Sequence, residues 1–350
     1  MNKYKVIGLM SGTSMDGVDL AYCEFTKSTS GWQVELKQTH CVAYSDQWLS
    51  RLVHLPEQSA EIFAKAHVYY GKYLGQMVKK FIEEYELQPD LIASHGQTVF
   101  HAPKQGYTVQ IGHGAEIAAS TGITTVCDLR TTDVALGGQG APIVPLGEKE
   151  LFPDYNCFIN IGGITNISFH QADQVIAYDV CMGNILLDYF AEEMNLPFDD
   201  GGKLAKSGSI IPSLLDRLNQ NQYVKQDPPK SLHAADVVSE TLQLLQDDDV
   251  IPDVLRTLVE HISHQIATTL DANNTAEVMI TGGGAFNSFL IEKIKSKTKA
   301  AIVIPEQQII EYKEALIIAF LGLQRILKKP NVLSSVTGAS RDSINGAVYL

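Results

Sequence analysis

Near the N-terminus the chain reads Val6-Ile7-Gly8-Leu9-Met10, then Ser11-Gly12-Thr13-Ser14-Met15-Asp16-Gly17, then Val18-Asp19-Leu20-Ala21-Tyr22. The same pattern returns as Cys157-Phe158-Ile159-Asn160, Ile161-Gly162-Gly163-Ile164-Thr165-Asn166 and Ile167-Ser168-Phe169. Apolar runs of β-formers separated by glycine and small polar residues predict a strand, a turn and a second strand. Glycine lets a ligand come close to the backbone, whose N–H groups bind phosphate. Two such turns, one in each half of the chain, predict two like domains and an enzyme that uses a nucleotide.

Length and composition agree with two cores in a soluble protein. The chain has 350 residues, of which 45% are hydrophobic, whereas a single domain usually stays below about 250 residues. A net charge of −13 argues against a nucleic-acid partner, although acidity also serves solubility alone. No apolar run reaches the ~20 residues of a membrane span, and the N-terminus does not read as a signal peptide. The five cysteines are widely spaced, which favours neither a zinc site nor a disulfide framework, so we expect a cytoplasmic location.

The order of predicted elements also repeats. The first half reads β-β-β-α-β-α-β, and the second half begins again with three strands at residue 156. We place the domain change where Gly137-Gly138-Gln139-Gly140-Ala141-Pro142 reads as irregular crossing chain. The expected domains are residues 1–130, an N-terminal lobe, and residues 131–350, a C-terminal lobe, with the last helix possibly returning to the first lobe. A repeat of this size indicates duplication rather than a solenoid.

Four predicted strands end in glycine and small polar residues, at residues 11–19, 95–98, 160–166 and 281–287. Ligands of α/β sheets collect beyond the carboxyl ends of the strands, so these segments are candidate binding loops. The alternative is that the glycines only make tight turns. The sequence contains neither a P-loop nor a dinucleotide-binding glycine motif followed by an acidic residue.

Transfer of a phosphoryl group needs a base, phosphate-binding donors and usually Mg²⁺. Asp179 is the best candidate base, because it follows an apolar strand and precedes Gly183-Asn184, where a helix is predicted. Amides at the start of that helix would keep its carboxylate ionised. The alternative is that Asp179 only caps the helix.

Three further charged residues are candidates for the site. Asp128 and Arg130 end another predicted strand, and a fixed guanidinium suits a carboxylate or a polar sugar, although a structural ion pair is equally consistent. Glu314 lies in an otherwise apolar helix, where it either faces a cleft or starts the helix on its exposed side.

The motifs together resemble those of a known family. They are Gly12-Thr13-Ser14-Met15-Asp16-Gly17-Val18-Asp19, Ser94-His95-Gly96-Gln97-Thr98, Asp128-Leu129-Arg130, Gly137-Gly138-Gln139-Gly140-Ala141-Pro142, Asn160-Ile161-Gly162-Gly163-Ile164-Thr165-Asn166 and Thr281-Gly282-Gly283-Gly284-Ala285-Phe286-Asn287. From Val6 to Ala339 the chain resembles the anhydro-N-acetylmuramic acid kinases. The resemblance implies an α/β fold of two duplicated ribonuclease H-like lobes with a cleft between them, as in actin-like ATPases and sugar kinases.

The resemblance also implies an activity, a phosphotransferase with an alcohol group as acceptor. ATP would phosphorylate O6 of 1,6-anhydro-N-acetylmuramic acid while water opens the anhydro bridge, giving N-acetylmuramic acid 6-phosphate and ADP in cell-wall recycling. Asp179 would activate the water, and Glu314 would join it as a catalytic residue. The sugar would contact His95, Gln97, Thr98, Asp128 and Arg130. ATP, with Mg²⁺ expected, would contact Gly12, Thr13, Ser14, Met15, Asp16, Gly17, Val18, Asp19, Gly162, Gly163, Gly282, Gly283, Gly284 and Asn287.

Two segments depart from the family pattern. Val180-Cys181-Met182 follows Asp179 where the family usually has Thr-Gly-Pro, and Leu232-His233-Ala234-Ala235 stands where Thr-Gly-Arg-Glu is common. Two alternatives therefore stay open: a sibling kinase for another sugar, and a catalytically weak nucleotide-binding homologue. A homodimer is expected from the resemblance alone, with no membrane partner, and the metal ligands are unknown.

Overall fold

The computed structural model describes residues 2–12, 15, 17–29, 31–171, 175–228, 230–232, 234–246 and 249–350, without the side chains of residues 234–236. In chain order its strands are β1 Asn2–Met10, β2 Gly17–Ser28, β3 Gly31–Ala43, β4 Leu91–Ser94, β5 Gln97–Ala102, β6 Tyr107–Ile111, β7 Thr125–Cys127, β8 Cys157–Ile161, β9 Ile164–His170, β10 Val175–Met182, β11 Glu277–Thr281, β12 Ala301–Val303 and β13 Ala347–Tyr349.

The helices alternate with these strands. They are α1 Asp46–His54, α2 Ala60–Glu84, α3 Gly114–Thr121, α4 Thr131–Ala135, α5 Val144–Leu151, α6 Asn184–Glu192, α7 Lys203–Ser207, α8 Pro212–Gln220, α9 Ala234–Leu242, α10 Ile251–Ala272, α11 Ser288–Lys297, α12 Gln307–Ile326 and α13 Ser334–Thr337. Within the described ranges, no helix has the length and apolar character that crossing a membrane requires.

The chain forms two compact units, and their sheets share one strand order. Unit 1 comprises Met1–Pro153 and Tyr312–Leu350, and unit 2 comprises Asp154–Glu311. In unit 1 the sheet runs β13-β7-β4-β1-β2-β3, with β1, β2 and β3 antiparallel and β4 and β7 parallel to β1. In unit 2 the sheet runs β10-β9-β8-β11-β12. This order matches β3-β2-β1-β4-β7 of unit 1, with two antiparallel pairs followed by two parallel pairs, and unit 1 adds β13 beside β7. The predicted duplication of a ribonuclease H-like unit is therefore confirmed.

Helix α12 packs on the unit 1 sheet at very short range because glycine faces it. A Cβ on Gly8 of β1 would lie 1.9 Å from the carbonyl oxygen of Ala315, and a Cβ on Gly322 would lie 2.4 Å from the Cβ of Ala93. The run from Ala315 to Leu321 is buried between these two contacts. Burying such apolar side chains is the main stabilising contribution, roughly 1.5–3 kcal/mol for each large one.

The core of unit 2 lies between its sheet and α10. Leu258, Ile262 and Ile266 of α10 are fully buried in one cluster with Ile159 of β8 and Ile280 of β11. The spacing of the three helix residues puts them on one face, as the 3.6-residue period requires. This packing fixes the ends of β8 and β11, where two of the glycine segments begin.

The predicted domain boundary after Arg130 is wrong, because α4 and α5 fold with unit 1. The backbone N–H of Asp133 donates to Oδ1 of Asn345 over 2.9 Å, and Gly147 packs against Ile317. Glu148 of α5 pairs with Lys313 over 2.8 Å, and both side chains are buried. The chain leaves unit 1 at Pro153 and returns to it within α12 at Tyr312. These bonds join residues far apart in sequence, so no local pattern marks them.

Candidate active site

The first glycine turn, residues 11–17, connects β1 to β2. The N–H of Met15 donates to the carbonyl of Gly12 over 3.4 Å, and Met15 has a left-handed φ of 55°. Thr13, Ser14 and Asp16, which were predicted to contact ATP, lie outside the described residues. Val18 is fully buried in the core, so its side chain is not available to a nucleotide, contrary to the prediction. Asp19 is half-buried and pairs with Met10 in the ladder.

The end of β4 lies beside the start of this turn. The N–H of His95 donates to the carbonyl of Leu9 over 3.0 Å, and Oγ of Ser11 donates to the carbonyl of Gly96 over 2.8 Å. β1 and β4 are parallel neighbours, so their carboxyl ends fall at the same edge of the sheet. The structure thus brings together two of the four segments that the sequence selected.

His95 is buried and both of its ring nitrogens bond within the chain. Nδ1 lies 2.8 Å from the carbonyl oxygen of Gly96, which can only accept, so Nδ1 carries the proton. Nε2 therefore accepts from Nε of Arg130, 2.8 Å away. Burial, with the positive charge of Arg130, lowers the pKa of His95 to about 3. His95 is neutral at physiological pH and orients Arg130, whereas the sequence predicted a direct contact with the sugar.

Arg130 is held at a second point. Its Nη1 donates to the carbonyl of Gly140 over 2.6 Å. Burial lowers the pKa of Arg130 to about 10, and the nearby Glu314 carboxylate works against that decrease. The guanidinium therefore stays charged at neutral pH, with its orientation fixed by two hydrogen bonds.

Asp133, which the sequence did not select for the site, supports the segment that holds Arg130. It is fully buried, and its Oδ2 accepts from the N–H of Gly140 over 2.8 Å. Its Oδ1 accepts from Oγ1 of Thr337 over 2.7 Å. A Cβ on Gly138 would lie 2.2 Å from the same carboxylate, which explains glycine there. The position of Asp133, a polar residue just beyond the end of β7, is the sequence feature that could have indicated its place near the site.

Glu314 lies in the second turn of α12 and is half-buried, so it does not start the helix on an exposed side. Burial raises the pKa of the Glu314 carboxyl, Lys313 and Arg130 oppose the rise, and Glu148 adds to it. Within the part of the chain that is described, this carboxylate accepts no hydrogen bond. It is thus free to meet a ligand.

Thr98 and Asp128, two more of the predicted sugar-binding residues, differ in setting. Oγ1 of Thr98 accepts from Nε2 of Gln110 over 3.2 Å within the β5–β6 hairpin, which the sequence did not predict. Asp128 is exposed after β7, has a left-handed φ of 59° and accepts from the hydroxyl of Thr131. Both have polar atoms that remain compatible with a sugar contact.

Asp179 of unit 2 lies inside β10, next to an irregularity in its pairing with β9. The N-cap of α6 is Gly183, so the helix-capping alternative for Asp179 is wrong, and so is its predicted stabilisation by the amides of that helix. The bulge between Asp179 and Cys181 re-aims the side chain, as bulges near functional sites often do.

A loop between α8 and α9 holds Asp179 in place. The N–H of Leu232 donates to Oδ2 of Asp179 over 2.9 Å, and the hydroxyl of Tyr223 donates to its carbonyl over 2.7 Å. Lys230 accepts at its carbonyl from the N–H of Asp179. Burial raises the pKa of Asp179, and the Leu232 amide opposes the rise. A partly buried carboxylate with a raised pKa is suited to accept a proton from water.

The glycine turns of unit 2 come together around a third segment. The N–H groups of Gly183 and Asn184 donate to the carbonyls of Gly163 and Gly162 over 2.9 and 2.8 Å. A Cβ on Gly284 would lie 2.2 Å from the side chain of Ile161, and a Cβ on Gly283 would lie 3.1 Å from the side-chain nitrogen Nδ2 of Asn184. The glycine turns at residues 160–166 and 281–287 therefore form one cluster around Asn184. The sequence analysis did not include Asn184 among the site residues, although Gly183-Asn184 follows a strand as the glycine turns do.

Asn287 has a structural role in this cluster. It is buried, and its Oδ1 accepts from the N–H of Leu290 over 3.0 Å, which caps α11. A Cβ on Gly202 would lie 2.3 Å from the same oxygen. Asn287 therefore caps α11 through its oxygen, and its contact with ATP stays a prediction.

The fold defines a class of protein. Each unit repeats one strand order and carries glycine turns at strand ends, so the chain is a duplicated ribonuclease H-like α/β protein. Among solved structures the chain resembles the activator of the 2-hydroxyisocaproyl-CoA dehydratase from Clostridium difficile with bound ADPNP, at 12% identity, 93% and 96% coverage of this chain and that chain, and a TM-score of 0.47. It also resembles a ROK family glucokinase from Streptomyces griseus in complex with glucose and AMPPNP, at 11% identity, 91% and 99% coverage, and a TM-score of 0.41.

The family itself follows from the sequence comparisons. The model of the family described as anhydro-N-acetylmuramic acid kinase matches residues 4–350. The protein of that name from Hydrogenovibrio crunogenus (strain DSM 25203 / XCL-2) is 34% identical over 363 residues, covering 98% of this chain and 97% of its own. The one from Bacillus thuringiensis subsp. konkukian (strain 97-27) is 32% identical over 375 residues, with 98% of each chain covered. The chain belongs to the anhydro-N-acetylmuramic acid kinase family. The predicted resemblance and the predicted class, a phosphotransferase, are confirmed.

Proposed function

We propose that this chain phosphorylates O6 of 1,6-anhydro-N-acetylmuramic acid with ATP while water opens the anhydro bridge. The products are N-acetylmuramic acid 6-phosphate and ADP, in the recycling of cell-wall amino sugars. Family membership over the whole chain supports the reaction. The observation that carries the mechanism is the setting of Asp179, whose Oδ2 is held by one amide and whose pKa burial raises.

In the proposed step, Asp179 accepts a proton from water as the water oxygen attacks the anomeric carbon. The bond from that carbon to O6 breaks, and its electron pair stays on O6. O6 attacks the γ-phosphorus of ATP, and ADP leaves with the electron pair of the bond that breaks. The proton on Asp179 then passes to solvent. Because O6 forms a bond to phosphorus as it leaves carbon, no acid is needed to protonate it. A positioned base contributes about 10²–10⁴ in rate.

Unit 1 contributes the residues proposed to bind the sugar. Arg130 presents a charged guanidinium with two of its N–H groups fixed by His95 and Gly140, which suits polar or anionic groups of the substrate. Glu314 offers carboxylate oxygens to sugar hydroxyls. Thr98 and Asp128 add polar atoms. His95, which the sequence predicted to contact the sugar, orients Arg130 in this proposal and does not contact the sugar itself.

The triphosphate is assigned to the glycine turns. Residues 11–17 form the turn proposed to bind the phosphates, here named the phosphate turn. Gly162 and Gly163 permit close approach of the nucleotide to the backbone of unit 2, because a Cβ at either position would meet no atom closer than 3.4 Å. Gly282 and Gly284 serve the turn itself, because Asn160 and Ile161 occupy the space that a side chain would need.

Mg²⁺ is proposed as a companion of ATP. No group of three or more His, Cys, Asp or Glu in the described ranges is arranged to hold a metal ion. Mg²⁺ commonly keeps several waters and binds through substrate phosphates and one or two carboxylates. This chain therefore fits a metal that arrives with the nucleotide, where it would neutralise charge on the phosphates.

We also infer a cytoplasmic location and a homodimer. None of the five cysteines, all within the described ranges, is assigned to a disulfide, and four of them are buried, which suits a reducing compartment. The homodimer is inferred from the family alone, and light scattering of the purified protein would test it.

The experiment that tests the function couples release of ADP to a panel of anhydrosugars and open sugars. We expect turnover with 1,6-anhydro-N-acetylmuramic acid and a product mass equal to the substrate plus one phosphoryl group and one water. A product without the added water would exclude the hydrolytic step. Binding of ATP without transfer to any sugar would favour the catalytically weak homologue.

One observation favours the second candidate, a sibling kinase for another sugar. Cys181 and Met182 of one departing segment and Leu232 of the other line one cavity of about 370 Å³ in unit 2. Leu232 belongs to the loop that holds Asp179. Turnover of another sugar in the panel, at a higher kcat/KM, would establish this candidate instead.

A further inference from the structure

Gln97 was predicted to contact the sugar, but both ends of its side-chain amide form hydrogen bonds inside unit 1. The side chain is buried, with 1% of its surface exposed. Its Nε2 donates to the carbonyl of Gly12 over 3.1 Å, and its Oε1 accepts from the hydroxyl of Tyr44 over 3.2 Å. Gly12 is the residue whose carbonyl also accepts from Met15 to close the phosphate turn.

Tyr44 connects the same amide to the other end of the turn. It directly follows β3, whose last residue, Ala43, pairs with Gly17 at the start of β2. A Cβ on Gly17 would lie 2.5 Å from the carbonyl oxygen of Val42, so the two strands touch there without space for a side chain. Gln97 thus bridges the end of β1, through Gly12, and the start of β2, through Tyr44.

Helix α2 closes the network from behind. The hydroxyl of Tyr70, which is fully buried in α2, bonds to the hydroxyl of Tyr44. Ser11 bonds to Tyr70 through its side chain and donates to the carbonyl of Gly96 over 2.8 Å. The Ser11–Gly96 bond is buried and the bonds of Gln97 and Tyr44 are partly buried, so breaking one would leave a polar group poorly solvated and without that partner.

We propose that Gln97 is a positioning residue of the phosphate turn, which sets the affinity for the triphosphate of ATP and does not bind the sugar. The proposal rests on the proposed function, since the phosphate turn takes its role from it. Backbone donors bind an anion well only when they are already oriented toward it. Gln97 and Tyr44 supply that orientation by fixing both ends of residues 11–17.

The test compares three variants of the full chain. Gln97→Met removes both hydrogen bonds at similar size, and Tyr44→Phe removes only the hydroxyl. Tyr73→Phe is the matched control, because Tyr73 packs in the same aromatic cluster against Trp48 and Tyr70 without joining this network. The affinity for ATP is measured by titration calorimetry, and KM is measured for each substrate.

We expect Gln97→Met and Tyr44→Phe to weaken ATP binding on the order of tenfold, the equivalent of one buried hydrogen bond. KM for the sugar should stay within about twofold, and Tyr73→Phe should match the wild type. A rise in KM for the sugar equal to or larger than the loss of ATP affinity would overturn the proposal. Unchanged ATP affinity in both variants would overturn it as well.

The two proposals can fail separately. Calorimetry with ATP needs no sugar, so a wild type that binds ATP but phosphorylates no anhydrosugar still gives a result for Gln97. A wild type that binds no ATP would overturn both. If Gln97→Met does not fold, Tyr44→Phe keeps the amide in place and decides the question.

Discussion

Nε of Arg130 donates to Nε2 of His95 over 2.8 Å, in a pair where histidine is the acceptor. The carbonyl of Gly96 fixes this direction, because it accepts a hydrogen bond from the N–H at Nδ1 of His95 and leaves Nε2 as the acceptor. A residue chosen from the sequence as a ligand is therefore an orienting partner for the neighbouring cation.

His95→Ala should raise KM for the sugar about tenfold while KM for ATP stays unchanged, because Arg130 loses one of its two fixed bonds. His95→Gln should recover part of the loss, since its amide oxygen can accept. Steady-state kinetics with each substrate varied measures both. The control is His54→Ala, at an exposed position of α1. An ionisation near pH 6.5 that disappears with His95 would contradict the low pKa of this histidine, which is about 3.

Asp179→Asn should lower kcat by about 10²–10⁴, because the amide cannot accept the proton of the attacking water. ATP affinity should survive, since the glycine turns of unit 2 are untouched. Rapid-quench or coupled assays measure kcat, and titration calorimetry measures the affinity for ATP. Asp216→Asn, at an exposed carboxylate of the same unit, is the matched control. Wild-type turnover in Asp179→Asn would remove this residue from the mechanism.

Asp179→Asn should have a higher free energy of unfolding than the wild type at neutral pH. Burial raises the pKa of Asp179 in the folded state above its unfolded value, so folding becomes less favourable as pH rises through that interval. Asparagine avoids this cost and can still accept from the Leu232 amide. The melting temperature, followed from pH 7 down to pH 3.5, should show the advantage shrinking as the aspartate becomes protonated in both states. An advantage that grows toward low pH would show that the sign is wrong.

Gly8→Ala should destabilise the protein by about 3 kcal/mol, at the upper end for overpacking. The new Cβ would lie 1.9 Å from the carbonyl oxygen of Ala315, which belongs to the backbone of α12 and cannot turn away. Gly106→Ala is the comparison, because its Cβ meets no atom within 4 Å and carries only the cost of a left-handed backbone, roughly 1 kcal/mol. Calorimetric melting of both variants measures the difference. Equal losses would mean that α12 can move away from β1.

The predictions from sequence were accurate where short-range patterns decide structure. Glycine turns after apolar strands gave the duplication, the family and the location of Asp179 in a strand next to a turn. The sequence analysis missed the β5–β6 hairpin, although β6 alternates apolar and polar residues from Tyr107 to Ile111, because β5 shows no such alternation. Nor did it reveal the domain boundary at Pro153, which depends on contacts of Glu148 and Asp133 with residues near the C-terminus.

The amino-acid pattern alone determined the two related units, since strand and turn preferences act over a few neighbouring residues. Only the tertiary structure decided what the polar side chains do. His95 and Gln97 lie two residues apart in one motif, yet His95 holds Arg130 and Gln97 holds Gly12. Asp179 takes its raised pKa from burial and its orientation from Leu232, which is far away in the sequence. The reason is that hydrogen bonding and desolvation depend on which groups meet in space, and a linear pattern does not specify those meetings.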